Sequence, residues 1–566
     1  MINAILRLEF AHVFPDEEPL ELFKYLGNVS DDTLLNVIGF TNTSPQPNFN
    51  NFHTNLKRRQ EVTDRVIDYC KRNQITKKPQ LISREGALRL AEVILSNRET
   101  LLKKEGVFNP DNDEENLFKS FLIVNKEING KQKQIQAGEG IDYIADLIIG
   151  MAFSVSDLGL DSNNNREFLK LLYVTIVRFE LLIEFLEAEN REYLLNDLVA
   201  YYNQDSVAEL SRRVKTLLAH LLGLKSKNGY KLIVDSPYDA EFLDSLVSVQ
   251  IYEDEDFTQL KNSPLYKIDE RTYSIIDYFF VLDKFTKSTK FILKESFNRH
   301  NNLKSRDRTF FQFFNTEYSE RYLSKSILNQ VFHDRYFIKK PSVNEKEYEP
   351  DYYVRQGNRV YLFEIKDVLI AKDVKSSGDA DTIYRTLSGK FFENDGKPIG
   401  IGQLVTSIVH IVEGKFEFDK YISDKKNLTI YPVLLVTDRI FEIHGINYKL
   451  NQWYLDSVKS KLGKRYNPNF IKDLTLIDID TLIYWLPYLE GGNNVFRDVL
   501  NEHLRKMSGQ IKKFSRHTQE EIQNEFNKRV SDKIAPISSR LPDYRIPLAL
   551  ITDRFQSVFA QENSKT

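Results

Sequence analysis

The sequence predicts a mixed α+β fold, with a mainly helical first half, a central strand-rich stretch and a helical C-terminal extension. Three observations carry this. Apolar residues recur at three- and four-residue steps through Val62–Lys71, Gly86–Leu102, Leu117–Ile128, Glu167–Glu189 and Ser206–Leu222, the signature of a buried helix face. Past residue 263, β-rich runs appear, clearest in Tyr348–Asp367 and Ile430–Thr437. Residues 501–540 return to a helical pattern, which Pro536 and Pro542 end. At roughly 100–200 residues per domain, 566 residues suggest about three. The pattern places them at 1–262, 263–490 and 491–566.

Composition excludes several classes. Hydrophobic residues make up 41% of the chain, enough for sizeable cores, so wholesale disorder is ruled out. The single cysteine, Cys70, rules out a disulfide framework and an all-cysteine zinc site. A net charge of -3 means that any nucleic-acid contact must use local basic patches. The greasiest stretch, Phe168 to Phe185, contains Lys170, Arg178, Glu180 and Glu184, which suits a buried amphipathic helix and not a membrane span. With no targeting segment visible at the N-terminus, the expectation is a soluble protein of a reducing compartment, the cytoplasm, without a membrane partner.

Turn residues at Asn109–Asp113, Asp161–Asn165 and Asp235–Pro237 punctuate the helical half. Leu265–Asp277 reads as a short hairpin leading into Tyr278-Phe-Phe280. From Lys284 to Arg308, eight basic residues face two acidic ones, with Phe285, Phe291 and Phe297 interleaved. By itself such a run is a solvated helix face. Beside a phosphate-cutting site it becomes a backbone contact through Lys287, Lys290, Lys294, Arg306 and Arg308. The basic residues of 501–540, Lys512 and Lys513 among them, admit the same two readings.

The informative stretch is Tyr348–Asp367. Two β-rich runs flank Gly357-Asn358, a dipeptide suited to a two-residue hairpin turn. With that turn, paired residues have numbers summing to 715, and Asp351 lies opposite Glu364. Directly opposed residues share a face, and the period of two puts Lys366 on it as well. Asp367 falls on the other face. Two opposed carboxylates destabilise a sheet unless something compensates them, and carboxylates are ligands that magnesium prefers. Lys366 is then placed to hold a water. The plain alternative is a surface hairpin in which Lys366 pairs with Glu349 or Asp351.

Pro350-Asp351, followed after twelve residues by Glu364-Ile365-Lys366, resembles the signature of the PD-(D/E)xK nuclease superfamily. The resemblance covers about 315–437. It implies a restriction-endonuclease-like core in the order helix, three antiparallel strands, helix, strand. The pieces would be Glu317–Val331, Tyr336–Lys340, the two arms of the hairpin, Gly402–Val412 and Ile430–Thr437. Pro432 is awkward in a central strand and argues for its first turn or an edge. The resemblance further implies Mg2+, with Mn2+ as a substitute, on Asp351, Glu364 and the Ile365 carbonyl. Lys366 would orient the attacking water, Glu320 (or Glu317) would support the metal from the first helix, and Gln403 would assist from the helix after the lysine strand. Ser407 and His410 share the face of Gln403, with His410 expected to pack at the sheet. The 36 residues between Lys366 and Gln403 read as an insertion over the site or as a loop with a short helix.

The resulting expectation is an Mg-dependent nuclease acting on DNA, and by analogy one of restriction or anti-phage defence. The helical domain would sense or regulate through a partner protein or an activating ligand, and a homo-oligomer is compatible. The alternatives are an RNA nuclease, or a non-catalytic nucleic-acid binder or helical scaffold with a decayed or incidental motif. No Walker-type phosphate loop is present, which argues against an ATP-driven translocase.

Overall fold

The computed structural model describes residues 6–43, 53–76, 78–102, 109–131, 138–156, 158, 165–187, 190–254, 256–332, 336–339, 346, 348–422, 427–492, 494–509 and 519–556. The fold is mixed α+β, with helices throughout and one main sheet. It divides into two compact units. One takes described residues of 138–156 and 306–547, the other those of 6–131, 158–305 and 548–556. The units are therefore not consecutive stretches of chain. Residues 263–305, expected with the strand-rich part, pack with the first half. Helices Gly140–Ala152 and Val495–Ser508, expected in the flanking domains, pack with the main sheet. An amphipathic pattern reveals which face is buried but not which surface covers it.

In the helical unit, Leu56–Arg72, Arg84–Ser96, Pro110–Lys131, Asn165–Glu187 and Val207–Ser226 form where the periodicity puts them. Asn165–Glu187 buries Phe168, Leu172, Ile176, Phe179 and Leu186. The expected hairpin pairs Leu265–Lys267 with Thr272–Ile275, and Lys231–Ile233 joins as a third strand. Among the described residues no helix is long and apolar enough to cross a membrane.

The sheet unit is built on five strands: β1 (Phe337–Lys339), β2 (Tyr352–Gln356), β3 (Arg359–Lys366), β4 (Thr429–Val436) and β5 (Thr475–Asp478). Their spatial order is β5-β4-β3-β2-β1. β1, β2 and β3 are antiparallel neighbours, whereas β3, β4 and β5 run parallel. The β2–β3 register pairs Tyr352 with Phe363 and Gln356 with Arg359, as the turn dipeptide requires, and Gly357 adopts the left-handed backbone (φ +60°) that the turn demands.

Pro432 corrects an expectation. β4 is central, and Pro432 sits inside it opposite Leu362. The Ile430 N–H donates to the Phe470 carbonyl at 2.7 Å, and the β5 ladder starts only at Val433 opposite Thr475. Backbone groups alternate sides along a strand, so the ring nitrogen of Pro432 faces the gap between that bridge and the ladder, where no donor is needed.

Helices cover both faces. Helix α1 starts at Thr309–Phe313, passes through π-type turns over Phe314–Ser324 and ends in Lys325–Val331. The segment after β3 is not a plain loop. It contains α2 (Ala380–Phe391), whose Ile383, Leu387 and Phe391 are fully buried, and a small hairpin of Glu393–Asn394 with Lys397–Pro398. Helix α3 (Ile401–Val412) follows and packs Leu404, Val405 and Ile408 with Tyr353, Val360, Leu362, Leu434 and Val436. The opposite face is aromatic: Tyr361 stacks on Tyr431 at 4.9 Å, and Phe332 and Phe496 pack against Tyr361 and Phe363. Burying both faces explains why β3 and β4 read as continuous apolar runs.

Candidate active site

Asp351 immediately precedes β2, and Glu364 and Lys366 close β3. The hairpin register brings the three together. The Ile365 N–H donates to Asp351 Oδ2 at 2.6 Å. Lys366 Nζ lies 3.2 Å from Glu364 Oε2 and 3.7 Å from Asp351 Oδ2. The N–H and C=O of one strand residue leave on the same side, so the Ile365 carbonyl is turned toward the Asp351 side of β3. The Glu364 side chain is fully buried, while Lys366 keeps about a fifth of its side-chain surface open. The plain alternative expected Lys366 to pair with Glu349 or Asp351 on a surface hairpin: the pair with Asp351 is present, but it is largely buried.

Burial, followed by the charge of Asp351, pushes the Glu364 carboxyl well above the usual range, with Lys366 opposing the shift. For Lys366, burial is the largest single influence and pulls its pKa down. The carboxylates of Asp351, Glu364 and Glu320 outweigh it and leave the pKa raised. Glu320, on the π-type stretch of α1, thus acts electrostatically on the lysine. The alternative, Glu317, forms an ion pair with Arg321 at 2.8 Å on its own helix.

Gln403 does not bring its amide oxygen to the carboxylates. That oxygen accepts the Gly400 N–H at 2.7 Å and closes the first turn of α3. A glutamine three residues inside a helix is well placed to reach back to the backbone, a capping preference that competed with the role expected for it. Ser407 donates to the Tyr348 carbonyl at 2.9 Å, and His410 stacks on the Tyr348 ring at 4.5 Å, a packing role as expected.

Gly400 is a residue that the sequence reading missed. Its φ of +50° is in the left-handed region. A Cβ there would lie 2.9 Å from the Phe391 carbonyl oxygen and 3.4 Å from Lys366 Cε. The bare backbone at the start of α3 therefore leaves room for the lysine stem. A glycine just ahead of a helix was the available signal, but its neighbour across the sheet was not readable.

The basic candidates separate. Lys290 is buried and Lys287 half-buried, and Lys294 donates to the Ser305 carbonyl at 2.8 Å. Lys284 is buried as well, donating to Tyr201 Oη and to the Asn262 carbonyl. This corrects the picture of a continuous solvated basic face: Lys284 and Lys290 are buried, and the Lys284 ammonium lies 4.9 Å from the centre of the Tyr201 ring. Arg306 and Arg308 are exposed and belong to the sheet unit. Lys512 and Lys513 lie outside the described residues.

The cluster suits a hard divalent cation. Among the described residues no group of three or more His, Cys, Asp or Glu side chains is gathered for a metal, and the oxygens this cluster could offer are those of Asp351, Glu364 and the Ile365 carbonyl. Magnesium, which keeps several of its own waters, is commonly held by one or two carboxylates. Among the described residues Glu364 Oε1 is buried without a hydrogen-bond partner by distance and angle, beside the Asp351 carboxylate and the Lys366 ammonium.

No family model matches the chain, and no curated protein and no solved structure matches it.

Proposed function

We propose that the chain is a metal-dependent nuclease that hydrolyses phosphodiester bonds, with DNA as substrate and a restriction-endonuclease-like core formed by α1, β1–β3, α3 and β4. The observation that carries the reading is the buried Asp351–Glu364–Lys366 cluster with its open carboxylate oxygen. A structural ion pair is expected to have its acceptors filled. This one holds two carboxylates against one ammonium.

Asp351, Glu364 and the Ile365 carbonyl would hold Mg2+, or Mn2+ in its place. The bound ion supplies charge neutralisation at the phosphate and a water of lowered pKa. The chain's own residues do the rest. The Ile365 N–H fixes the Asp351 carboxylate. Lys366 keeps its proton beside three carboxylates, so its part is to orient the attacking water and to balance negative charge as it develops, not to act as general base. Glu320 adds a carboxylate from α1. Arg306 and Arg308 offer backbone contacts for the nucleic acid. The helical unit is assigned a sensing or regulatory part, with a partner protein or an activating ligand as its input, and the setting is cytoplasmic defence.

The test compares wild type with Lys366→Ala on supercoiled plasmid, with and without Mg2+. Nicking or linearisation by wild type alone, only with the metal, is the expected result. Equal cutting by Lys366→Ala sinks the assignment. Cleavage of a matched RNA but not of the plasmid would move the substrate to RNA. Absence of both cleavage and calorimetric metal binding would favour a non-catalytic protein.

A further inference from the structure

Asp367 follows the lysine and points to the opposite face, which set it apart from the metal ligands. On that face it holds α1. Its carboxylate oxygen Oδ2 accepts the Ser319 hydroxyl at 2.6 Å, and its main-chain carbonyl accepts the Asn315 side-chain amide at 2.7 Å. Asn315 and Ser319 are four residues apart, so one residue at the end of β3 grips a full turn of the helix. Ser319 is buried, and its short bond to a carboxylate is the strong, charge-assisted kind. The next residue along is Glu320, the α1 carboxylate that the proposed function places with the cluster.

The helix is irregular at this point. Phe314–Ser324 has π-type turns, and the Ser324 hydroxyl donates to the Ser319 carbonyl at 2.7 Å, five residues back. Widened turns turn the side chains out of their α-helical phase, and they are frequent at functional sites. The grip and the irregular turns coincide on the residue beside Glu320.

We propose that Asp367 is a positioning residue for the acidic cluster: through Ser319 and Asn315 it sets the helix carrying Glu320 against the strand carrying Glu364 and Lys366. This rests on the nuclease reading for its catalytic consequence. It says that the β3 end works on both faces, one side chain entering the cluster and its neighbour fixing the element that completes it.

The test is a double-mutant cycle with two readouts. Asp367→Ala is made in the wild-type and Glu320→Gln backgrounds, and Ser319→Ala removes the same bond from the helix side should Asp367→Ala fold poorly. Mg2+-dependent plasmid cleavage and Mn2+ affinity by calorimetry are measured, with the thermal midpoint as a control. Asp367→Ala and Ser319→Ala are expected to lose about 10- to 100-fold in rate or Mn2+ affinity, the usual effect of removing a residue that orients a ligand. Neither should lose more once Glu320→Gln is present. Losses that multiply in the Glu320→Gln background, or wild-type values in both single variants, overturn the proposal. A wild type that binds Mn2+ but cuts neither the plasmid nor a matched RNA defeats the nuclease reading alone, and the affinity cycle still decides the part played by Asp367. A wild type that does neither overturns both.

Discussion

Each unit of the molecule buries charge, and the two do it differently. In the helical unit, Arg84 forms an ion pair with Asp277, and its remaining nitrogens donate to the Leu158 carbonyl at 2.8 Å and the Thr41 carbonyl at 3.4 Å. Asp277 Oδ1 accepts the Phe279 N–H at 2.9 Å and so caps the helix Tyr278–Asp283. One charge faces one charge, and the nitrogens and oxygens are filled. In the sheet unit, two carboxylates face one ammonium, and among the described residues Glu364 Oε1 has no hydrogen-bond partner. A saturated pair fixes a fold, while an unsaturated one leaves room for something that is not part of the chain. The difference does not belong to the units as such. The sheet unit has its own saturated network, in which Arg540 Nε donates to His503 Nδ1, His503 Nε2 donates to Asn447 Oδ1, and Asn447 binds both Leu474 and Leu476 at the start of β5.

The largest effect that would break this contrast lies in the helical unit. Asp277→Ala strands a buried guanidinium, and urea unfolding should show a loss of about 3–5 kcal/mol with Mn2+ affinity unchanged. A loss below about 1 kcal/mol, within the range of a surface pair, would place this ion pair in the dispensable class. Next comes pH. Burial, with the charge of Arg540 behind it, pushes His503 down to about 3 from 6.5. The unfolded chain takes up the proton first as the pH falls. Stability contributed by the neutral ring is therefore present above about pH 6.5 and lost below it, at about 1.4 kcal/mol per pH unit. His503→Gln should lack that slope when urea midpoints are compared from about pH 7 to 4. The smallest effect sharpens the other side. Mg2+ at about 100 times its Kd should stabilise wild type by about 2.7 kcal/mol, and Glu364→Gln should abolish the gain. In chelator, Glu364→Gln should melt no lower than wild type, because the carboxamide removes the repulsion from Asp351. A thermal shift in EDTA and in Mg2+ reads both.

The hairpin was legible because two local rules agree there. Gly357-Asn358 sets the turn, and a period of two then fixes every pair, so the sequence by itself brings Asp351, Glu364 and Lys366 together. That Thr475–Asp478 is the neighbour of β4 was not readable, since a parallel pairing leaves no turn in the sequence. The inward turn of Lys284 and Lys290 was hidden for a related reason. A lysine stem covers apolar surface as readily as it faces water, and composition does not say which. Gly400 and Asp367 owe their placement to contacts between helix and strand. The only sequence trace of Asp367 was its alternation to the face away from Glu364 and Lys366.

The interleaving of the two units bears on how the protein is made. The helical unit draws its last described helix from Leu548–Arg554, and the sheet unit takes Gly140–Ala152 from long before its first strand. At about 5–20 residues per second, a ribosome needs roughly half a minute to two minutes to travel from the first described helices to Arg554. Over most of that time the helices of the first half are out of the ribosome but still lack their closing segment. Gly140–Ala152 likewise waits for the strands it packs with. Neither unit can be finished in order of synthesis. The chain is therefore expected to lean on chaperones during translation, and a cut at residue 262 or 305 is not expected to release a fragment that folds alone.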